Sequence, residues 1–240
     1  MIVLHSTKYG DSSLIVHVYS EMHGRTGLLL RGAGRSRSTR SDLRVIHSLS
    51  VLDVTISPRT NKGSLLSVQE FAQAFPLPTL RANFLKSTLC LFVGELLYRT
   101  LRESSPDSEL YRFLVYAIRM LESLEDRYCA NFHLWFLVGY ASQLGFLPQN
   151  DHSPERNCFH IPTARFERQP TWADESWFSP FCSELLSDLL RLEIGEVLTR
   201  PLSSEKRNDF CRAMLRYLRY HTDSDFEIKS LDVLSQVLHP

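Results

Sequence analysis

Arginines are concentrated near the start of the chain, in a stretch from His23 to Arg40 that contains no acidic residue. A guanidinium group is planar and permanently charged, and it pairs with phosphate through two parallel hydrogen bonds. Gly32 and Gly34 break regular structure here and let backbone N–H groups approach an anion closely. The stretch fits a loop that follows a nucleic-acid backbone, and it also fits an ordinary solvated loop. The candidate DNA contacts in and around it are Lys8, Arg25, Arg31, Arg35, Arg37, Arg40 and Arg44.

Charge is distributed unevenly, although the chain as a whole is neutral with 27 basic and 27 acidic residues. Residues 1–80 hold nine of the basic and five of the acidic residues, so this part is net +4 and residues 81–240 are net −4. A basic N-terminal part followed by a mildly acidic C-terminal part is typical of an anion-binding module joined to a module that binds a protein partner.

The sequence lacks the motifs of familiar catalytic sites. It contains no Walker A loop, no complete dinucleotide glycine fingerprint, no nucleophile elbow and no HExxH pair. The pair Gly32 and Gly34 begins such a fingerprint but lacks its third glycine and the helix that should follow. The carboxylates are dispersed, and no pair of them can be argued to share a site, so the residues indicate no cofactor.

The cysteines predict reduced thiols, as in a cytosolic protein, because their number is odd and their spacing irregular. A metal site would have to use Cys158, His160 and Cys182, with His152 nearby. Zinc sites normally show paired ligands. Here each cysteine stands alone, so we expect no metal. The five are Cys90, Cys129, Cys158, Cys182 and Cys211.

No segment predicts a signal peptide or a membrane span. The first ten residues have a strand pattern without the apolar core of a signal peptide. Residues 128–150 lack Asp, Glu, Lys and Arg, but Asn131, His133 and Pro148 leave too short an apolar run to cross a bilayer.

Residues 1–75 have the pattern of short strands, which are the elements that must position the arginines. Alternation is clearest at 13–19, and further strands are predicted at 2–4, 26–31, 45–56 and 65–75, the last of them a strand or a short helix. The apolar face changes within 45–56, which predicts a bulge or sharp curvature. Five short curved strands favour a small oligonucleotide-binding (OB) barrel, on which Tyr9 and Tyr19 are candidates for base stacking.

The pattern changes to helical after Pro76–Pro78, which places a domain boundary there: residues 1–78 form the barrel and 79–240 an all-α domain. Helices are predicted near 85–97, 108–121, 130–144, 180–192, 204–221 and 230–238, with an irregular segment at 146–178. Arg212, Arg216 and Arg219 share one face of the fifth helix, either as a partner-binding stripe or as a solvated face.

Several segments in order resemble the RecO family of bacterial recombination mediators. Tyr9-Gly10-Asp11-Ser12-Ser13, His23-Gly24-Arg25 and Arg31-Gly32-Ala33-Gly34-Arg35 match its opening pattern. Phe146-Leu147-Pro148, Leu218-Arg219-Tyr220-His221 and Lys229-Ser230-Leu231 match its later segments. This chain departs from the family in one respect. Many relatives carry a four-cysteine zinc cluster in the middle of the helical part, whereas only Cys158 and Cys182 fall in that region here.

The resemblance implies an OB barrel followed by a helical domain and a protein that is not an enzyme. It implies binding to single- and double-stranded DNA, annealing of complementary strands, and loading of RecA, together with RecR, onto DNA coated by single-strand-binding protein. It also implies a binding site for the acidic tail of that protein in the helical domain. The implied location is the bacterial cytoplasm, in association with the nucleoid. Two other hypotheses remain: a protein scaffold that never binds DNA, and a metal-dependent nuclease.

Overall fold

The first five strands form one sheet in the order β1-β2-β3-β5-β4. The computed structural model describes residues 1–10, 13–31, 43–57, 65–101, 106–171 and 174–238. Strands β3 and β5 pair in parallel, and the other neighbours pair antiparallel. The strands are β1 Ile2–Tyr9, β2 Ser13–Ser20, β3 Gly24–Arg31, β4 Leu52–Ile56 and β5 Leu65–Gln73.

The two edges of this sheet meet where the start of β1 lies beside residues 49–52. Val3 N donates to Ser50 O at 2.8 Å, and Leu49 N donates to Val3 O at 2.8 Å. Leu52 N in turn donates to Met1 O at 2.7 Å. This strand order with a partial seam is that of a partly open OB barrel, which confirms the predicted fold class of its N-terminal part. The barrel core consists of Val3, Val16, Val18, Leu28, Leu30 and Leu52.

The predicted strand over 45–56 is shorter in the structure. A 3-10 turn occupies Leu43–Val45, and β4 begins only at Leu52. Between them Leu49 has a φ of 65°, a left-handed conformation that turns the chain towards β1. The change of apolar face in the sequence therefore marks a bend that brings two strands together.

The chain divides into two compact units, and the first contains residues 1–123 and 227–234. The predicted boundary at residue 78 separates strands from helices within this unit and stays a prediction for the domains. The helices that follow the barrel are α1 Pro78–Ala82, α2 Phe84–Thr100 and α3 Ser108–Ser123. Helix α2 is buried along most of its length, as expected for a helix that is apolar nearly all round.

A buried lysine joins these three helices. Lys86 is only 3% exposed, and its Nζ donates to Thr79 Oγ1 at 3.0 Å and to Glu122 O at 2.8 Å. The Glu122 carboxylate accepts the backbone N–H groups of Thr79 and Leu80 at 3.0 and 2.9 Å. Because each charge has fixed hydrogen-bond partners, the network holds the start of α1 against the end of α3.

The first unit is completed by residues 227–234 near the end of the chain, which include the start of α9, Ser230–Val237. Glu95 on α2 accepts the backbone N–H of Lys229 at 3.2 Å and of Ser230 at 2.8 Å. It also accepts the Ser230 hydroxyl at 2.6 Å. A carboxylate at a helix N-terminus satisfies N–H groups that have no partner within the helix.

The second unit contains residues 124–226 and 235–240. Its helices are α4 Asp126–Cys129, α5 Phe132–Gln143, α6 Pro180–Leu189, α7 Ile194–Thr199 and α8 Ser204–His221. Ser203 caps α8 by accepting from Lys206 N. None of the helices among the described residues of the chain is long and apolar enough to cross a membrane.

The prediction that 146–178 is irregular was wrong in one place, because a short hairpin lies within it. Its strands are β6 Cys158–His160 and β7 Arg165–Glu167. Strands of three residues are too short to show alternation in sequence. Phe159 holds the hairpin in the core of the unit, with its ring centroid 5.2 Å from that of Phe166 and 5.0 Å from that of Phe178.

Candidate nucleic-acid interface

Basic and aromatic side chains meet at the end of the barrel from which the arginine-rich loop leaves. Tyr9 on β1 pairs with Ser13 on β2, and Ser13 pairs with Arg31 on β3. Neighbouring strands lie about 4.8 Å apart, so the backbones of Tyr9 and Arg31 are roughly 10 Å apart. Tyr9 is 57% exposed, and Lys8 and Arg31 are exposed as well. The sheet thus brings two predicted DNA contacts, Lys8 and Arg31, to the same end of these strands, in adjacent rows that face opposite sides of the sheet.

The loop of the candidate contacts begins directly after Arg31. Arg35, Arg37 and Arg40 lie outside the residues that the structure describes, and so does the side chain of Arg44. After this segment, Leu43 and Val45 pack against the barrel core. The described residues on either side of this segment therefore belong to the barrel, and Arg31, the last residue of β3, is exposed to solvent.

Arg25 lies elsewhere on the same strand. It pairs with Tyr19, six residues from Arg31, which corresponds to roughly 20 Å along a strand. Its Nη1 donates to Leu101 O at the C-terminal end of α2, and its guanidinium lies 4.6 Å from the ring centroid of Tyr98. A cation is favourable at a helix C-terminus, where backbone carbonyls point outward. The structure does not bring Arg25 to the other candidates, and it gives the side chain a role in packing β3 on α2.

Two histidines lie side by side on the outer surface of the barrel. His5 and His17 are partners across β1 and β2, with ring centroids 6.4 Å apart. The ring of Tyr98 lies 4.8 Å from His5 and 5.1 Å from His17. Burial, then the charge of Arg25 and then His5 lower the pKa of His17, which favours a neutral imidazole. Sequence reasoning missed His5 because it ended the first strand at Leu4, whereas β1 continues to Tyr9.

The basic stripe on α8 is only partly available. Arg216 Nη2 donates to Trp177 O at 3.3 Å, and Arg219 Nε donates to Phe226 O at 2.7 Å. Both residues are half-buried, whereas Arg212 is exposed. Arg216 and Arg219 border an open cleft that Glu175, Asp223 and Asp225 also line. The predicted stripe therefore consists of one exposed arginine and two half-buried arginines that donate to backbone carbonyls and share a cleft with three carboxylates.

The residues in the zinc region of the resembled family do not form a metal centre in this chain. Cys158 and Cys182 are each 2% exposed, and burial raises the pKa of both thiols, which favours the protonated form that binds metals poorly. Across the described ranges, no three His, Cys, Asp or Glu side chains are grouped to hold an ion.

Comparison with known proteins gives two consecutive family matches. A model described as Recombination protein O N terminal matches residues 1–75, and one described as Recombination protein O C terminal matches residues 81–231. The chain is also 30% identical to the DNA repair protein RecO of Phocaeicola vulgatus, over 98% of this chain and 96% of that protein. It is 29% identical to the protein of the same name from Porphyromonas gingivalis, with the same coverage.

Proposed function

Because the chain belongs to the recombination protein O family of DNA repair and recombination proteins, we propose that its barrel binds DNA through the phosphate backbone. The observation that carries this proposal is the position of Arg31. It is exposed at the end of β3, beside Lys8 and Tyr9, where the loop with Arg35, Arg37 and Arg40 begins. Contacts to phosphate carry no sequence information, so we expect binding to any sequence.

This proposal includes a mediator role without chemistry of its own. A protein that holds two strands by their phosphates can bring complementary bases together, which is what annealing requires. We further propose that it acts with RecR to load RecA onto single strands coated by single-strand-binding protein, in the cytoplasm at the nucleoid. The family assignment supports this role, and the dispersed carboxylates and buried thiols do not favour the nuclease hypothesis.

The test is a salt titration of the full-length protein on single-stranded oligonucleotides of several sequences. Replacing Arg35, Arg37 and Arg40 together by Ala should weaken binding to all of them. The slope of log affinity against log salt should flatten by up to about 0.7 for each phosphate that the variant no longer neutralises. Arg31→Ala should have the same effect on a smaller scale.

A matched control comes from Arg25, which lies on the same strand but contacts Leu101 and Tyr98. Arg25→Ala should lower the melting temperature and leave the salt slope unchanged. If neither the loop variant nor Arg31→Ala changes the affinity or the salt slope, the protein is a scaffold. The proposal that this end of the barrel binds DNA would then be wrong.

We also propose that the helical part holds the acidic, apolar-ended tail of single-strand-binding protein, with Arg212, Arg216 and Arg219 as candidate contacts. The carboxylates of the cleft beside Arg216 and Arg219 oppose an acidic peptide there. An apolar groove in the first unit is a second candidate binding site for the tail. It is lined by Leu80 and Leu91 and bordered by Arg81 and His47. Such a groove suits a peptide with an apolar end and nearby carboxylates.

Titration of the tail peptide against the full-length chain distinguishes the two candidate binding sites. The double variant Arg212→Glu, Arg216→Glu should abolish binding if the stripe is the binding site. Arg81→Glu should abolish binding if the groove is the binding site. Arg191→Glu is the control, since Arg191 is an exposed arginine outside both. If neither variant weakens binding, both proposed binding sites are wrong. The full chain is needed because a fragment that starts at residue 79 would cut through the first unit.

A further inference from the structure

An open cleft in the second unit has features that neither DNA binding nor the acidic tail accounts for. Its volume is about 970 Å³, at the upper end of the range of ligand-binding clefts. It is lined by the C-terminal end of α8 and the turn that follows, by Ile161 after β6, and by Glu175 and Ser176. Three segments that are distant in sequence thus form one cleft within a single unit.

Three carboxylates line this cleft, and all of them are exposed: Glu175, Asp223 and Asp225. Within the described part of the chain, none of the three forms an ion pair with a lysine, arginine or histidine. Asp174 beside Glu175 is exposed as well, and hydrogen bonds from the side chain and backbone of Ser176 lower its pKa, so it stays ionised. The cleft therefore presents several unpaired negative charges to solvent.

The two arginines of the cleft are directed at backbone carbonyls rather than at these carboxylates. Arg216 Nη2 donates to Trp177 O at 3.3 Å, and Arg219 Nε donates to Phe226 O at 2.7 Å. Both arginines are half-buried, whereas the carboxylates are exposed. A ligand that approaches from solvent meets the carboxylates first, so the cleft favours a cation over an anion.

An exposed aromatic ring lies beside two of the carboxylates. Tyr220 is 56% exposed, and its carbonyl accepts from Asp223 N at 3.3 Å in the turn that ends α8. Asp225 follows two residues later and lines the same cleft. A guanidinium group can stack on an aromatic ring and also form two parallel hydrogen bonds with a carboxylate. The combination of ring and carboxylates therefore suits an arginine side chain.

We propose that this cleft binds a basic segment of a protein partner, in which an arginine stacks on Tyr220 and pairs with Asp223 or Asp225. Ile161 lines the same cleft and matches an apolar residue next to that arginine. The inference is independent of the proposed DNA binding, because it uses no residue of the barrel. It also assigns to the cleft a ligand of the opposite charge to the acidic tail.

The experiment titrates the full-length protein into dye-labelled peptides and follows their fluorescence anisotropy at low salt. The first peptide has two arginines that flank a leucine. In the second, citrulline replaces both arginines, which keeps their shape and removes their charge, and in the third lysine replaces them. The citrulline peptide should bind at least about tenfold more weakly than the arginine peptide. The lysine peptide should fall between them, because an ammonium group has no flat face to stack on the ring.

Variants of the cleft locate the binding site. Asp223→Asn with Asp225→Asn should weaken binding of the arginine peptide by about two- to thirtyfold, the range for two exposed ion pairs. Tyr220→Ala should weaken it by about two- to fivefold, whereas Tyr220→Phe keeps the ring and should bind as the wild type does. The matched control is Glu184→Gln with Asp209→Asn, which removes two exposed charges of the same unit outside the cleft and should leave the affinity unchanged.

Asparagine is chosen at position 223 because Asp223 has a φ of 46°. Asparagine adopts this left-handed conformation as aspartate does, so the variant keeps the turn after α8. An unchanged melting temperature of the double variant would show that a loss of peptide binding does not come from unfolding. If the double variant is destabilised, the comparison of Tyr220→Ala with Tyr220→Phe decides the proposal alone.

Several results would overturn the proposal. No binding of the arginine peptide, or equal affinity for the citrulline peptide, would mean that the cleft does not recognise a basic segment. Unchanged affinity in the cleft variants, or an equal loss in the control variant, would mean that the peptide binds elsewhere or responds only to net charge. If the aspartate variant changes the sedimentation coefficient without any peptide, the occupant is a second copy of this chain and the partner segment is wrong.

Discussion

Removing the Glu95 carboxylate should destabilise the first unit strongly, because it accepts three hydrogen bonds from Lys229 and Ser230 at the start of α9. A hydrogen bond to a charged group contributes about 1.5 to 3 kcal/mol when buried, and less where solvent competes. Glu95 and Ser230 are half-buried, so we take roughly 1 kcal/mol for each bond. The variant Glu95→Ala should therefore cost about 3 kcal/mol of unfolding free energy.

The assay is thermal unfolding followed by circular dichroism, with urea unfolding as a second measure. At about 3 °C per kcal/mol for a domain of this size, Glu95→Ala should lower the melting temperature by roughly 9 °C. Glu95→Gln keeps one acceptor oxygen and should be destabilised less. Ser230→Ala removes only the hydroxyl bond and should cost about 1 kcal/mol.

A double-mutant cycle decides whether these effects come from the described hydrogen bonds. The hydroxyl bond is already absent in Glu95→Ala, so adding Ser230→Ala to it should cost little more than Glu95→Ala alone. Fully additive effects would mean that Glu95 and Ser230 act independently. A change below about 0.5 kcal/mol for Glu95→Ala would refute the capping role, because surface substitutions commonly reach that size.

Two further predictions concern metal and pH. EDTA should not lower the melting temperature, and the purified protein should carry no stoichiometric zinc, because Cys158 and Cys182 are buried and too few ligands are grouped near them among the described residues. One zinc per chain would contradict this prediction. Burial, with a smaller effect of Arg207, lowers the pKa of His133 from 6.5 to about 3, so the unfolded chain binds a proton that the native state does not as pH falls below 6.5. Between pH 6.5 and 5 the wild type should therefore lose about 2 kcal/mol more stability than His133→Leu in urea unfolding, and equal changes in the two proteins would contradict it.

The barrel could be predicted from sequence because its signals are local. Leu14, Val16 and Val18 alternate with outward residues along β2, and the paired β3 follows after one turn. The start of α8 at Ser204 was also predicted, since a serine cap acts on backbone groups only a few positions away, and the last helix was predicted to begin near Ser230.

The missed features depend on residues that are distant in sequence. Nothing near Arg25 shows that its guanidinium will meet Leu101 and Tyr98, so its charge alone placed it among the DNA contacts. The second half of β1 has the polar sequence of an exposed edge strand, which lacks the apolar alternation that defines a strand in sequence. The hairpin at Cys158–Glu167 is stabilised by aromatic contacts made within the folded unit rather than by its own pattern.

The inclusion of residues 227–234 in the first unit bears on the order in which a nascent chain folds. The whole of residues 124–226 separates them from the rest of that unit. At about 5 to 20 residues added per second, a ribosome needs roughly 5 to 20 s to pass from the first part to the last. During that interval Glu95 lacks its helix, and the places that Leu231 and Leu234 will fill stay open to water. Residues 124–226, which make up most of the second unit, are thus synthesised before the first unit can close, and this gives chaperones a defined period in which to protect the first unit.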